Sequence, residues 1–310
     1  MPTVVVLGDV NVDIVARLES YPPPGGDSQP LQTMLQVGGT SLNTAIMLKR
    51  LGVDVVLIAR AGADVLGDFA VAEIARNGLS TEWVQRDDRV TTGVAYAAVT
   101  PDGERTLLGG GGANRNLDAQ TVPFDVIAQA NWLHLTSYSV LGAASLEATL
   151  HATQLARINA AVTSLDIGLA PVRLARQSVT QLAAEMRLLM LSEQVSIDVM
   201  TDQTLLRKLG AQGCVIAEPD GHRFQVPAFA VNVVDSTGAG DAFNGGYIAG
   251  SIWQLDTCQS ALLANACGAA ATTVLGAGSA LPTREVVKGL LRERCPTGWE
   301  KQAKRVLDVI

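Results

Sequence analysis

The sequence predicts an α/β fold: a mainly parallel sheet flanked by helices, with a smaller β excursion laid over one end. Three observations point there. Val4, Val5, Val6 and Leu7 form an unbroken apolar run that stops at Gly8, the pattern of a strand buried on both faces in a parallel sheet. Helix-period and strand-period segments then alternate along most of the chain. Two stretches break that rhythm with a period of two, as antiparallel hairpins do.

The first helix follows Asn43. Ala45, Ile46, Leu48 and Leu51 fall at helical spacing, Gly52 ends the run, and residues 53–59 read as the next strand. Residues 69–76 form a helix stopped near Gly78, residues 132–135 a strand, 146–158 a helix and 162–166 another strand. One exception to the alternation is the pair 10–18 and 31–37, parted by Pro22-Pro23-Pro24-Gly25-Gly26. The other is 91–100, which turns at Pro101-Asp102-Gly103 and returns through Arg105, Thr106, Leu107 and Leu108. Together they predict a small lid of three or four strands over 10–38 and 90–112, with Gly109 to Gly112 as its flexible exit. No repeat, linker or sharp shift of composition precedes the charged tail after Arg292, so 1–310 reads as one domain with a lid.

Composition narrows the function classes. With 310 residues, 48% of them hydrophobic, the chain supplies a sizeable core. Aromatics are only 4% while Gly counts 30, which suits helices packed closely on a sheet and backbone brought near a ligand. A net charge of -7 argues against nucleic acid, whose phosphates are bound by clustered Lys and Arg. Cys214, Cys258, Cys267 and Cys295 lack C-x-x-C spacing and read as reduced core thiols of a cytoplasmic protein, with no zinc indicated. Met1-Pro2-Thr3 runs straight into the first apolar segment, with neither a basic n-region nor a cleavage site, so no signal peptide is expected. Residues 259–282 carry no charge and match the ~20 residues that span a bilayer. They are nevertheless rich in Ala, Gly, Ser and Thr, include Asn265 and end in Gly276-Ala277-Gly278-Ser279, which fits a buried helix and a turn.

The strongest chemical signal is Val234-Asp235-Ser236-Thr237-Gly238-Ala239-Gly240-Asp241-Ala242-Phe243-Asn244-Gly245-Gly246, read as a strand end, a glycine turn and a helix start. Free N–H groups at a helix N-terminus form an anion site, and Gly238 and Gly240 let that backbone approach phosphate oxygens. Asp241 lies in the first turn, where a carboxylate can take the proton of an attacking hydroxyl. Upstream, Gly38-Gly39-Thr40-Ser41-Leu42-Asn43-Thr44-Ala45 places paired glycines where a polyhydroxylated ligand would need room, and the Asn43 amide can both donate and accept. In Gly8-Asp9-Val10-Asn11-Val12-Asp13, alternation puts Asp9, Asn11 and Asp13 on one face; an EF-hand is ruled out by Ile14 and Ser20.

These segments resemble, in order, the signatures of the ribokinase-like (PfkB) family: Gly-Gly-x-x-x-Asn-x-Ala near the amino terminus and Asp-Thr-x-Gly-Ala-Gly-Asp late in the chain. The resemblance runs from Gly8 to about Pro282 and implies a doubly wound sheet with a β lid, ATP and Mg2+ as partners, and transfer of phosphate to a hydroxyl of a sugar or related small molecule. It implies Asp241 as general base, with Gly238, Ala239 and Gly240 forming the anion hole beside it. Asn11, Asp13, Gly38, Gly39 and Asn43 would bind the acceptor. Leu209-Gly210-Ala211-Gln212-Gly213 resembles the family's Thr-Leu-Gly-x-x-Gly loop beside ATP, with Lys208 in place of Thr. Asn265 falls where the family walls the adenine, and a monovalent cation such as K+ is implied near Asp235 and Thr237. Where the family carries Asn-x-x-Glu for its magnesium network, Ser192-Glu193-Gln194-Val195 stands instead: Glu193 acts through water, or Ser192 caps a helix.

Other enzyme classes lack their motifs. There is no G-x-x-x-x-G-K-[ST] P-loop, Phe243 spoils a G-x-G-x-x-G, and three histidines without G-x-S-x-G support neither a zinc nor a serine hydrolase. The acceptor stays open among sugars, sugar acids, nucleosides and phosphosugars. Thr40 stands where ribokinase and phosphosugar kinases usually carry Lys, and Arg105 could meet an acid or simply face solvent. A sugar- or nucleotide-binding regulator without turnover remains the rival from another class, and a homodimer formed through the lid is compatible with catalysis.

Overall fold

The computed structural model describes residues 3–101, 105–198, 200 and 202–310. Val4 to Leu7 lie in β1 (Thr3–Gly8), which leads into β2 (Asn11–Arg17) and, beyond the proline-rich stretch, β3 (Gln32–Gly38). Next come α1 (Thr40–Leu51), β4 (Asp54–Gly62), α2 (Val65–Arg76), β5 (Val84–Asp87), β6 (Gly93–Val99) and β7 (Arg105–Gly109). The middle of the chain supplies α3 (Phe124–Ala128), β8 (Trp132–Thr136), α4 (Ala143–Ile158), β9 (Val162–Ile167), α5 (Leu169–Ala183) and β10 (Leu188–Ser192). It closes with β11 (Thr204–Lys208), β12 (Cys214–Ala217), β13 (Arg223–Val226), α6 (Ala239–Ile252), α7 (Thr257–Ala271), α8 (Arg284–Glu293) and α9 (Glu300–Val309).

Nine strands form one sheet in the order β13-β12-β11-β10-β9-β8-β1-β4-β5. Pairing is parallel from β5 to β11 and antiparallel at β12 and β13. β1 is central because its run has no polar face: Val4 and Val6 pack into the core that includes Leu48, Ala242 and Ala264, Val5 and Leu7 into the one that includes Ala152 and Leu182. Each such side chain contributes about 1.5–3 kcal/mol by leaving water. The chain leaves β1 toward β4 on one side and leaves β8 toward β9 on the other. The carboxyl ends of β1 and β8 therefore flank a topological switch point, where open α/β sheets bind ligands.

The smaller sheet has the order β3-β2-β6-β7. Its two hairpins are antiparallel, as expected, but they join through a parallel β2–β6 pair. That follows from connectivity, since β1 and β5, the strands preceding β2 and β6, point the same way in the main sheet. Pro101 is described, but Asp102 and Gly103 of the expected turn lie outside the described residues, as does Arg105's side chain.

Three other expectations need correction. No strand precedes Asp235: residues 227–237 are irregular, Val233 and Val234 are exposed, and the segment is tied down by Val234 N–H to the Thr272 carbonyl at 2.8 Å. Ser192 caps no helix, because it ends β10 and a turn follows in which Val195 N–H donates to the Ser192 carbonyl at 3.1 Å. Of the four unpaired cysteines, Cys214 and Cys267 are buried, but Cys258 and Cys295 are half-buried and so not core thiols. Within 259–282, α7 ends at Ala271 and turns follow; no helix among the described residues is long and apolar enough to cross a membrane.

Candidate active site

A cavity of about 760 Å3 opens at the switch point, between the carboxyl end of the main sheet and the inner face of the small one. Asn11 and Asp13 of β2, Ala95 of β6 and Leu107 of β7 line its roof; Gly8, Asp9, Gly39, Thr40 and Asn43 line its floor. Asp166, Ser192, Gln194, Lys208 and residues 236–238, 240 and 241 line its far end.

The floor is built by α1 entering against β1. Gly39 has φ 107°, a left-handed value, and a Cβ there would stand 2.6 Å from the Asp9 carbonyl oxygen. The Asp9 carboxylate accepts from Thr40 N–H (3.1 Å), Thr40 Oγ1 (3.0 Å) and Ser41 N–H (3.0 Å), so it caps α1 from a distant part of the chain. Thr40 Oγ1 is also 2.7 Å from Thr136 Oγ1, which ties α1 to the end of β8. Asp9 thus differs in job from Asn11 and Asp13, with which it shares the sequence pattern. Asn114 Nδ2 donates to Asn11 Oδ1 at 2.7 Å, orienting that amide. Gly38 is needed because the Asp13 carboxylate lies over it, 2.0 Å from where a Cβ would stand.

The far end is built by the N-terminus of α6. Gly238 is its N-cap at φ 74°, packed against Ala277. Asp235 shapes the turn before it: Oδ1 accepts from Thr237 N–H (2.9 Å) and Oγ1 (2.7 Å), and Oδ2 accepts from Gly276 N–H (2.7 Å). Ala239 N–H donates to the Ser236 carbonyl at 3.3 Å and is not free for an anion. The N–H groups of Gly240 and Asp241, also in the first turn, meet no acceptor among the described residues.

Asp241 is 8% exposed, and its Oδ2 accepts from Asn43 Nδ2 at 2.8 Å. Asn43 is held in turn by Gly278 N–H, which donates to its Oδ1 at 3.0 Å. Burial raises the Asp241 carboxyl to about 7, aided by the Asp166 charge and opposed by the Asn43 hydrogen bond and the Lys208 charge. A carboxylate poised near neutrality, open to a cavity and beside unpaired N–H groups, can act as a general base next to a bound anion.

Other expected site residues stand elsewhere. Leu209, Gly210 and Gly213 form the turn between β11 and β12 and do not line the cavity. Gly213 packs its backbone on the Val226 carbonyl, and Asn265 Nδ2 donates to the carbonyls of Val226 (3.1 Å) and Pro227 (3.0 Å). Glu193 is exposed, while its neighbours Ser192 and Gln194 line the cavity. The sequence did not single out Asp166 as a site residue. Its position at the end of a parallel strand was the signal available.

Known proteins similar to this chain are kinases. The family model for pfkB family carbohydrate kinases matches residues 1–284. The chain is 30% identical to an ATP-dependent ribose-1-phosphate kinase of Halopiger xanaduensis, over 95% of this chain and 99% of that protein. It is likewise 30% identical to an aminoimidazole riboside kinase of Salmonella typhimurium, over 91% and 92% of the two chains. An E. coli protein assigned as ribokinase II, solved with ATP and Mg2+, superposes with a TM-score of 0.80 at 23% identity, over 95% of this chain and 100% of that one. The family model and the relatives together mark the chain as a phosphotransferase. The chain belongs to the pfkB family of carbohydrate kinases.

Proposed function

We propose that this kinase transfers the γ-phosphate of ATP to a hydroxyl, best a hydroxymethyl group, of a sugar or riboside, with Asp241 as the general base. The observation that carries it is the Asp241 carboxyl, near 7, facing the cavity at the α6 N-terminus. Asn11, Asp13 and Asn43 offer donors and acceptors suited to sugar hydroxyls. Asp241 accepts the hydroxyl proton, and the free N–H groups of Gly240 and Asp241 stabilise charge on the transferring group. The small sheet acts as a lid that excludes water, which limits wasteful hydrolysis of ATP.

Oxygen donors at the far end, from Asp166, Ser192 and Gln194, are a set that suits Mg2+. Bound there, Mg2+ would neutralise phosphate charge. The E. coli protein solved with ATP and Mg2+ supports the same pair of partners here. Asp235 accepts from Thr237 and Gly276 and so shapes the turn, and with Thr237 it is where a monovalent cation such as K+ would bind. ATP supply and reduced thiols such as Cys214 and Cys267 favour a cytosolic setting.

Purified protein with Mg2+ and ATP, tested for ADP release against pentoses, hexoses, sugar acids, nucleosides and phosphosugars, tests the reading beside Asp241→Asn. Acceptor-dependent release that falls by about 10³ or more in the variant is expected. Equal release in both proteins would remove Asp241 from the reaction.

A further inference from the structure

Lys208 ends β11, Asp166 stands near the end of β9, and Ser192 ends β10 between them, in register with Lys208. The Lys208 ammonium donates to Asp166 Oδ1 at 2.7 Å and to Asn244 Oδ1 at 3.1 Å. An ammonium has three N–H donors, so one is left over. Lys208 lines the cavity, and a side chain built at Gly240 would come 3.4 Å from its Nζ. The spare donor is therefore beside the first turn of α6, where the Gly240 and Asp241 N–H groups also lack acceptors.

A role in folding alone explains this arrangement poorly. The pair is largely buried, with side chains 14% and 11% exposed, and a buried ion pair is a weak source of stability. Asn244 is fully buried, and turning its Oδ1 to the ammonium leaves its Nδ2 without a partner. An orphaned buried donor asks for a reason, and holding a cation at a reaction site is one.

We propose that Lys208 is a catalytic residue whose third N–H binds the transferring phosphoryl group, while Asp166 and Asn244 hold the ammonium in place. This rests on the phosphoryl-transfer reading above. In the step, the acceptor oxygen bonds to the γ-phosphorus as the bond from that phosphorus to the bridging oxygen breaks. ADP leaves with that electron pair, and the acceptor proton passes to Asp241. Charge on the non-bridging oxygens then meets a cation already fixed by two bonds, which needs no reorganisation.

The test is isothermal titration with Mg2+ and a non-hydrolysable ATP analogue, and separately with AMP, on wild type, Lys208→Met and Lys208→Arg. Lys208→Met is expected to lose about tenfold or more in affinity for the triphosphate while AMP affinity stays within about twofold. Lys208→Arg, which keeps the charge, retains more triphosphate affinity than Lys208→Met. With any acceptor that wild type turns over, kcat of Lys208→Met falls about 10²-fold or more while the acceptor KM changes less than about threefold. Triphosphate and AMP weakened equally, or neither weakened, would overturn the proposal, as would an unchanged kcat. If wild type binds the triphosphate but turns over no acceptor, the kinase reading fails and the titrations still decide Lys208; if wild type does not bind it, both fail.

Discussion

Asp241 holds two opposed demands. As a base it must ionise, yet burial and the Asp166 charge keep its carboxyl near 7, above the ordinary 3.8. Between those values the folded protein holds a proton that the unfolded chain releases. Stability supplied by the neutral form is thus complete below about pH 4, falls as pH rises, and is gone once pH passes about 7. Asp241→Asn carries no charge to bury, so at pH 8 it should unfold later than wild type by on the order of 2–4 kcal/mol, with the gap closing toward pH 4. Denaturant melts at both pH values check this; equal midpoints at pH 8 would mean that the ionised carboxylate costs the fold nothing. The sequence named Asp241 and Asn43 as site residues. That Asn43 donates to Asp241, across 198 positions, is a tertiary fact no local pattern carries, and the same holds for Lys208 and Asp166.

At the scale of the element, α6 presents its catalytic end because its sides are packed very closely. A Cβ on Gly245 would stand 2.8 Å from Met47 Cβ of α1, and one on Gly246 would stand 2.8 Å from Ala264 Cα of α7. Those glycines let two helices come against α6 and fix where its first turn points. Gly246→Leu should therefore cost about 1–3 kcal/mol and lower kcat as Asp241 shifts, read by melting and by turnover. Full activity in a stable variant would show that α7 does not position α6. Long apolar elements were legible: β1, β8 and the helix ending at Gly52 lie where periodicity puts them. Helix starts were not, since α1 begins at Thr40 under a cap supplied by Asp9 and α2 begins at Val65 under its own Asp64. Four-residue strands such as β5 and β13 are too short to show a period.

Across the whole molecule, one face of the small sheet closes the cavity and the other does not. The register aligns Leu35, Ile14, Tyr96 and Leu108 in a row across all four strands on the outer face. Leu35, Tyr96 and Leu108 are 49%, 37% and 67% exposed, an apolar stripe that a second copy of the chain would cover. The homodimer through the lid that the sequence leaves compatible with catalysis would bury this face. Solution mass should be near twice 32.4 kDa and return toward one chain in Tyr96→Asp, whereas a monomeric wild type would refute it.

The measurement closest to the central claim is kcat/KM for the best acceptor against pH, because it reports ionisations of the free enzyme. An acid limb near pH 7 is predicted, falling about tenfold per unit below it and absent from whatever activity Asp241→Asn retains. A wild-type profile flat down to pH 5, or a limb that survives in Asp241→Asn, would contradict the assignment of Asp241 as the base.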